Sequence, residues 1–147
     1  MAAAWDWILA AYQRPGLPEI CLTLQDEHEQ NTSLLLWAAW ARPSDPALLE
    51  RAARAVRAWD ETALSPLRAV RRALKSPLDP VPDAAREGLR EDVKAAELRA
   101  ERILVETLEL LGGGSGATAA EAVTAASRAW GPAAPDDVLA AFVAALA

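Results

Sequence analysis

Leucine, tryptophan and alanine recur along the chain at intervals of three and four residues, the spacing that brings side chains to one face of an α-helix. No segment of five residues alternates β-branched and polar side chains, so no part of the sequence has the pattern of a half-buried strand. The abundance of alanine and leucine also favours helix. The sequence therefore predicts an all-α fold, an irregular bundle of about six to eight helices, in a single domain over residues 1–147.

Prolines and capping residues mark where these helices begin and end. Asn31 and Asp45 carry side-chain oxygens that can accept from the first backbone N–H groups of a helix, and Thr118 with Glu121 forms a capping box. The prolines in 76–82 predict an extended connection, and the glycines in 112–116 predict a flexible loop. The predicted helices cover residues 5–12, 18–29, 32–41, 46–59, 65–75, 83–111 and 118–130, with a last helix from 136 onward.

Two of these helices have distinctive apolar patterns. The helix at 32–41 is apolar on nearly every side, which predicts that it is the buried centre of the fold. The helix at 83–111, with Asp83 as its predicted cap, carries a seam of apolar and small residues at alternating steps of four and three. Such a seam can pack across the core or against a second copy of the chain, so a homodimer is one expectation. The seam consists of Leu89, Val93, Ala96, Ala100, Ile103 and Thr107.

Charge and composition restrict the compartment and the partners. The net charge of -6 argues against general nucleic-acid binding, and no helix-turn-helix pattern accompanies the basic helix. The longest apolar runs, such as 34–41, are far shorter than the roughly 20 residues that span a bilayer. A single cysteine fits a reducing compartment, and the first residues lack the pattern of a secretory signal. We expect a cytoplasmic protein without a membrane partner.

Residues that could carry chemistry are sparse. The only cysteine and the only histidine, Cys21 and His28, lie seven positions apart, which is about 10 Å along a helix and beyond hydrogen-bond reach. Cys21 is therefore expected to be a small core residue. No second soft ligand is present for a metal, and the glycine run lacks the lysine of a phosphate-binding loop. The sequence predicts no cofactor and no metal site, and it disfavours an enzyme.

Several polar and aromatic residues are candidates for a ligand or partner site. Gln25, Asp26 and Asn31 lie where one predicted helix ends and the central apolar helix begins. They can bind a ligand, although Asn31 is also explained as a cap and the other two by hydrogen bonds to chain ends. Trp37 and Trp40 either fill the core or form the wall of a pocket.

A basic stripe follows one face of the helix at 65–75. Residues 51–75 carry seven basic and two acidic groups, whereas residues 1–50 carry two basic and seven acidic groups. The stripe can pair internally with the acidic N-terminal segments, bind an anionic ligand, or dock an acidic protein. Its members, at positions i, i+3, i+4 and i+7, are Arg68, Arg71, Arg72 and Lys75.

The stretch from Trp5 to Lys75, about half of the chain, resembles a family of short bacterial proteins, found mainly in proteobacteria, that is classed only as a domain of unknown function. The resemblance implies a cytoplasmic helical protein and brings no established activity, cofactor or catalytic residue. Relatives have a glycine in the turn after the Gln-Asp pair, whereas residues 28–30 here have none. The matching motifs are Arg14-Pro15-Gly16, Cys21-Leu22, Leu24-Gln25-Asp26, Leu34-Leu35-Leu36, Trp40, Pro66-Leu67-Arg68 and Arg71-Arg72.

Two functions follow as expectations. The first is a non-catalytic interaction or adaptor module that docks an acidic partner on the stripe containing Arg68. The second is a binder of a small anionic ligand, or an enzyme, with a pocket between the second, third and fifth predicted helices. In that pocket Gln25, Asp26 and Asn31 would supply hydrogen bonds, and Arg71 or Arg72 would meet the anionic group.

Overall fold

The structure is a computed structural model that describes residues 3–113 and 116–147. Over these residues it contains helices and no strand, which confirms the predicted all-α helical bundle. Met1, Ala2, Gly114 and Ser115 lie outside the described residues, and the last two belong to the predicted loop at 112–116. No helix in the described ranges combines the length and apolar character needed to cross a membrane. The helices are α1 (Ala3–Ala11), α2 (Leu17–His28), α3 (Thr32–Ala41), α4 (Pro46–Trp59), α5 (Ser65–Ala73), α6 (Asp83–Leu110), α7 (Ala119–Trp130) and α8 (Asp136–Leu146).

Local capping explains why the helices begin where they do. Asn31 Oδ1 accepts from the backbone N–H of Leu34 at 3.0 Å, which fixes the start of α3. At the start of α7, Thr118 Oγ1 accepts from the N–H of Glu121 at 3.1 Å, and the Glu121 carboxylate accepts in return from the N–H of Thr118 at 2.9 Å. Predicted and observed boundaries agree within two residues because these signals are local in sequence.

The helices α4 and α5 are joined by a π-helical turn, Asp60–Leu64, instead of by a loop. Pro66 lies two residues later, and it has no N–H to donate and a ring that crowds the carbonyl four residues back. A wider turn before the proline relieves this crowding while the chain stays helical. Ser65 Oγ donates to Asp60 Oδ2 at 2.8 Å across the turn.

The described chain divides into two compact units, which we describe separately. The first contains residues 1–56 and 105–147, and α3 lies at its centre, in contact with α1, α2 and α7. The predicted burial of this helix is confirmed, since six consecutive side chains have at most 8% of their surface exposed. The helix α8 packs against α2 and α7. The buried residues of α3 are Leu34, Leu35, Leu36, Trp37, Ala38 and Ala39.

A buried polar network connects the α2–α3 junction with α7 and the turn that follows it. Ser127 Oγ donates to Gln30 Oε1 at 2.7 Å and accepts from the N–H of Ala134 at 2.9 Å. Gln30 Nε2 donates to the carbonyl of Pro132 at 2.8 Å. Since Gln30 and Ser127 are both buried, each unmade bond would carry a desolvation cost of about 1–3 kcal/mol. The network therefore specifies how α7 is oriented against α3.

The second unit, residues 57–104, consists of the end of α4, the π-helical turn, α5, the non-helical connection at 76–82 and most of α6. Three contacts join the residues before this connection to α6. As the residue number increases before the connection, the number of its partner on α6 decreases, so α5 and α6 are antiparallel. The contacts are Trp59 Nε1 to the carbonyl of Ala100 at 2.8 Å, Arg71 to Glu97 at 2.6 Å and Arg86 to the carbonyl of Leu74 at 2.7 Å.

The central position of α3 predicts a large difference between two leucine-to-alanine substitutions. Leu35→Ala, at a fully buried position, should lower the free energy of unfolding by about 2–5 kcal/mol because it leaves a cavity. Leu22→Ala, at a position 57% exposed on α2, should change it by no more than about 0.5 kcal/mol. Urea unfolding followed by circular dichroism measures both, and equal effects would contradict the placement of α3.

Candidate functional site

Opposite charges come together between α5 and α6, in a group that we call the charged cluster: Arg68, Arg71, Lys94, Glu97 and Glu101. Its centre is an ion pair in which Arg71 Nε donates to Glu97 Oε2 at 2.6 Å. The two side chains are only 28% and 13% exposed, so the pair is largely shielded from water. A shallow recess of 290 Å³ lies beside it, lined by Arg71, Lys94, Glu97, Leu98 and Glu101.

Glu101 lies one helical turn after Glu97 on α6, and it is the member of the cluster whose ionised form is disfavoured by its surroundings. Burial raises the pKa of the Glu101 carboxyl, and the negative charge of Glu97 raises it further. The guanidinium groups of Arg68 and Arg71 act in the opposite direction and are the smaller influences. The cluster thus holds one carboxylate in a tight ion pair and a second that is ionised less readily than an ordinary glutamate.

Two further arginines of α6 bind the end of α5. Arg86 donates to the carbonyl of Leu74 at 2.7 Å, and Arg90 donates to the carbonyl of Arg71 at 3.3 Å. The last carbonyls of a helix lack partners within the helix and carry partial negative charge, so guanidinium groups are favourable there. Arg86 is 6% exposed and also pairs with Asp83 at 3.2 Å. Asp83, the predicted cap of α6, is its first residue, and its carboxylate accepts from Arg86.

The four residues of the predicted basic stripe have different environments in the structure. One of them has an ion-pair partner within the chain, and two are exposed on the surface. Arg71 pairs with Glu97 of α6, a residue outside the acidic N-terminal segments that the sequence suggested as partners. Arg68 is half-buried and near enough to Glu101 to lower its pKa, whereas Arg72 and Lys75 are exposed. The stripe as a whole is therefore not one uniform basic surface.

Sequence reasoning did not identify the acidic half of this cluster or the arginines at the end of α5. A signal was present, because Glu97 with Glu101 and Arg86 with Arg90 are each spaced four residues apart and so share a face of α6. Recognising their roles required the register of α6 against α5. That register is set by the length and turns of the connection at 76–82.

The predicted polar group at the α2–α3 junction makes local structural bonds. Gln25 Nε2 donates to Thr32 Oγ1 at 2.8 Å, and Asn31 caps α3. Asp26 is exposed on α2. Two of the three residues thus have partners that hold the junction together, and the third faces solvent.

The two candidate tryptophans of α3 have different environments. Trp37 is fully buried, and its Nε1 has no hydrogen-bond partner among the described residues. Trp40 is only half-buried and contributes to a cleft of 480 Å³ between α1, the end of α3, the start of α7 and the end of α8. We call it the tryptophan cleft, and its lining residues are Trp7, Ala39, Trp40, Arg42, Ala119, Val143, Leu146 and Ala147.

Cys21 is confirmed as a core residue, with 3% of its surface exposed. Burial raises the pKa of its thiol to about 11, and a hydrogen bond with Tyr12 offsets part of that rise. The thiol is therefore protonated at neutral pH and is a poor nucleophile. In the part of the chain that the structure describes, no three histidine, cysteine, aspartate or glutamate side chains are grouped as a metal site.

These features define an all-α protein that contains a helical pair held by charged side chains. The sequence model of a family described as protein of unknown function, DUF2390, matches residues 3–108, and the chain belongs to this family. The expected membership of an uncharacterised family is thereby confirmed. No curated protein and no solved structure matches the chain. The helices α7 and α8 follow the matched residues, although α7 packs directly on α3.

The ion pair predicts unequal effects for two neighbouring arginines of α5. Arg71→Ala should lower the free energy of unfolding by about 1–3 kcal/mol, because it leaves the Glu97 carboxylate shielded from water without its partner. Arg72→Ala, the exposed control one residue later, should change it by no more than about 0.5 kcal/mol. Chemical denaturation provides the comparison, and equal values for the two variants would argue against internal pairing.

Glu101 and Glu121 should respond to pH in opposite directions. Because the pKa of Glu101 is raised in the folded state, its ionisation lowers the free energy of unfolding as pH rises above the ordinary value of 4.5. The free energy of unfolding of Glu101→Gln should therefore increase relative to that of the wild type from about pH 4 to about pH 7. The lowered pKa of Glu121, caused by its hydrogen bonds with Thr118, contributes stability above 4.5 that is lost as pH falls. The free energy of unfolding of Glu121→Gln should therefore decrease relative to that of the wild type as pH rises. Urea titrations from about pH 3 to about pH 7 cover both effects and report both signs, and parallel trends would refute the assignment.

Proposed function

We propose that this DUF2390 protein is a non-catalytic interaction module and that residues 57–104 carry its docking surface. The observation that carries the proposal is the distribution of exposed apolar side chains. Among the described residues, nine large apolar side chains are exposed, and six of them lie in this third of the chain. Soluble proteins seldom leave so much apolar surface in one region unless another molecule covers it. The six are Val70, Leu78, Val81, Leu89, Leu98 and Ile103.

The interior of this unit is correspondingly small. Within residues 57–104 the buried apolar side chains are Leu64, Ala100 and Leu104, and Arg86 is buried with them. An ion pair and arginine-to-carbonyl bonds hold α5 and α6 together, and the Trp59 indole joins the end of α4 to α6. Two helices joined mainly by polar contacts bury little of their own apolar surface, and this supports a role in which a partner supplies the rest.

The most regular part of the exposed surface is a line on α6 that we call the α6 stripe: Leu89, Ala96 and Ile103. These residues repeat every seven positions, as in the helices of coiled coils. At 3.6 residues per turn, the stripe lies roughly a quarter turn from the α6 side chains that contact α5. Leu89 and Ile103 are 52% and 40% exposed. The stripe forms half of the seam that the sequence indicated, while Ala100 of the other half is buried.

The pattern of the α6 stripe supports a second copy of this chain as its partner. A two-fold axis at Ala96 would bring Leu89 of one copy against Ile103 of the other, because they lie seven residues before and after it. The small side chain of Ala96 permits close approach of the two helices at the axis. Asp92 and Arg99 are exposed beside the stripe, and the same axis would bring the aspartate of one copy near the arginine of the other.

The charges of this unit support a non-catalytic role. Arg71 and Glu97 neutralise each other, and Arg86 and Arg90 are bound to the end of α5. These groups hold α5 and α6 in register, and each is bound by another group of the same unit. The cysteine of the other unit is buried and protonated, so it adds no nucleophile.

The proposal predicts that the chain is a dimer that one added charge dissociates. Leu89→Glu should give a monomer because it places carboxylates in the apolar contact. Leu22→Glu, the matched control, should leave the dimer intact, since Leu22 is similarly exposed at 57% but lies on α2, outside residues 57–104. Sedimentation velocity across a concentration series measures both masses, and circular dichroism verifies that each variant is helical.

A charge exchange tests whether the contact is antiparallel as proposed. Asp92→Arg or Arg99→Asp alone should weaken the dimer because like charges then face each other across the axis. The double exchange should restore it. A monomeric wild type, or a double exchange no tighter than either single variant, would overturn self-association through the α6 stripe.

A further inference from the structure

The tryptophan cleft lies wholly within the unit formed by residues 1–56 and 105–147, and neither the charged cluster nor the α6 stripe contributes to it. Its volume of 480 Å³ is in the range of small-molecule sites, roughly 300–1,000 Å³. A second recess of 520 Å³ shares Trp40, Arg42 and Ala119 with it.

Four of the five tryptophans of this unit fall into two groups, and the fifth, Trp130, donates its Nε1–H to the carbonyl of Glu29 away from the cleft lining. Trp5 and Trp37 are buried in the core, which explains them as bulky packing residues. Trp7 and Trp40 are only half-buried, and both line the cleft together with Val143 and Leu146. Partly exposed indole rings facing a concave surface offer flat apolar walls on which a planar ring can stack.

Arg42 supplies one positive charge beside these walls. Among the described residues, no carboxylate lies within ion-pair distance of its guanidinium. Arg14, and not Arg42, donates to the main-chain oxygen of Ala147 at the rim, at 2.8 Å. The charge of Arg42 is therefore open to an anionic group from outside the chain.

The backbone of Arg42 is unusual for this residue type. It ends α3 in the left-handed region, with φ of 49°, where glycine is the usual residue because a Cβ is unfavourable there. A basic side chain is favourable near a helix C-terminus. A basic residue in the last turn of α3 would have the same favourable interaction without the unfavourable left-handed backbone. The left-handed position instead makes a residue with a long basic side chain part of the lining of the cleft.

From these observations we infer that the tryptophan cleft binds a small aromatic carboxylate. The ring of the ligand stacks between the indoles of Trp7 and Trp40, and its carboxylate accepts hydrogen bonds from the Arg42 guanidinium. Arginine suits this role because its planar donors match the two oxygens of a carboxylate. The inference is independent of the proposed self-association, because the residues of the cleft and of the α6 stripe do not overlap.

The experiment titrates the full chain with 2-naphthoate and, in parallel, with its neutral analogue 2-naphthamide. Two-dimensional ¹H–¹⁵N spectra resolve the indole N–H signals, and Trp7→Phe and Trp40→Phe assign the two cleft residues. With 2-naphthoate, the Trp7 and Trp40 signals should shift and saturate, whereas the indole signals of the other four tryptophans should stay in place. Binding of 2-naphthamide should be weaker by about tenfold, the loss expected for one charge-assisted contact.

Arg42→Gly should weaken binding of 2-naphthoate without lowering the stability of the protein. Glycine accepts the left-handed backbone, so the variant should keep the wild-type melting temperature while its affinity for 2-naphthoate falls to that of 2-naphthamide. Arg54→Gln, at an exposed arginine of α4, is the control and should bind as the wild type does. Leu89→Glu should also bind normally, which separates this test from that of the dimer.

Three results would overturn the inference. The first is the absence of any saturable shift of the Trp7 and Trp40 signals. The second is equal affinity of the wild type and Arg42→Gly for 2-naphthoate. The third is a shift of the other four indole signals as large as that of the two cleft residues, which would indicate a general change of structure instead of binding at this site.

Discussion

The burial of α3 is the constraint on which the rest of residues 1–56 and 105–147 depends. A helix with apolar side chains on nearly every side is stable in water only if other helices cover it all round, and α1, α2 and α7 do so. The buried bonds of Gln30 and Ser127 then orient α7, because polar groups in such an interior must find partners. Coverage of α3 also explains why residues beyond the family match at 3–108 are part of this unit.

The unit at 57–104 follows a different principle. An ion pair and guanidinium groups at the end of α5 join α5 to α6, an indole-to-carbonyl bond joins the end of α4 to α6, and few apolar side chains are buried. Contacts of this kind are directional and therefore specify register, whereas they contribute less burial than a leucine core. The consequence is apolar surface left on α6, and this surface is the physical basis of the proposed interaction role. The charged residues that attracted attention in the sequence thus act mainly within the unit.

Much of the fold could be predicted because its signals are local. Asn31, the Thr118–Glu121 pair and the prolines each act within a few residues, so helix ends were placed correctly. The candidate site was less accessible. Arg71 was named, but Glu97 and Glu101 were not, since their proximity depends on how the chain returns along α6. Trp40 was named without Trp7 and Arg42, which join it only when α1, α7 and α8 meet the end of α3.

By itself the sequence determined the helical class, the order and limits of the helices and the burial of α3, because periodicity and capping are properties of short segments. Only the tertiary structure decided which charges neutralise each other, which tryptophans reach solvent and which face of α6 remains exposed. Those outcomes depend on contacts between residues far apart in the chain, such as Trp7 with Val143 around the cleft and Arg71 with Glu97. Spacing along a helix specifies a face, and packing alone specifies what that face meets.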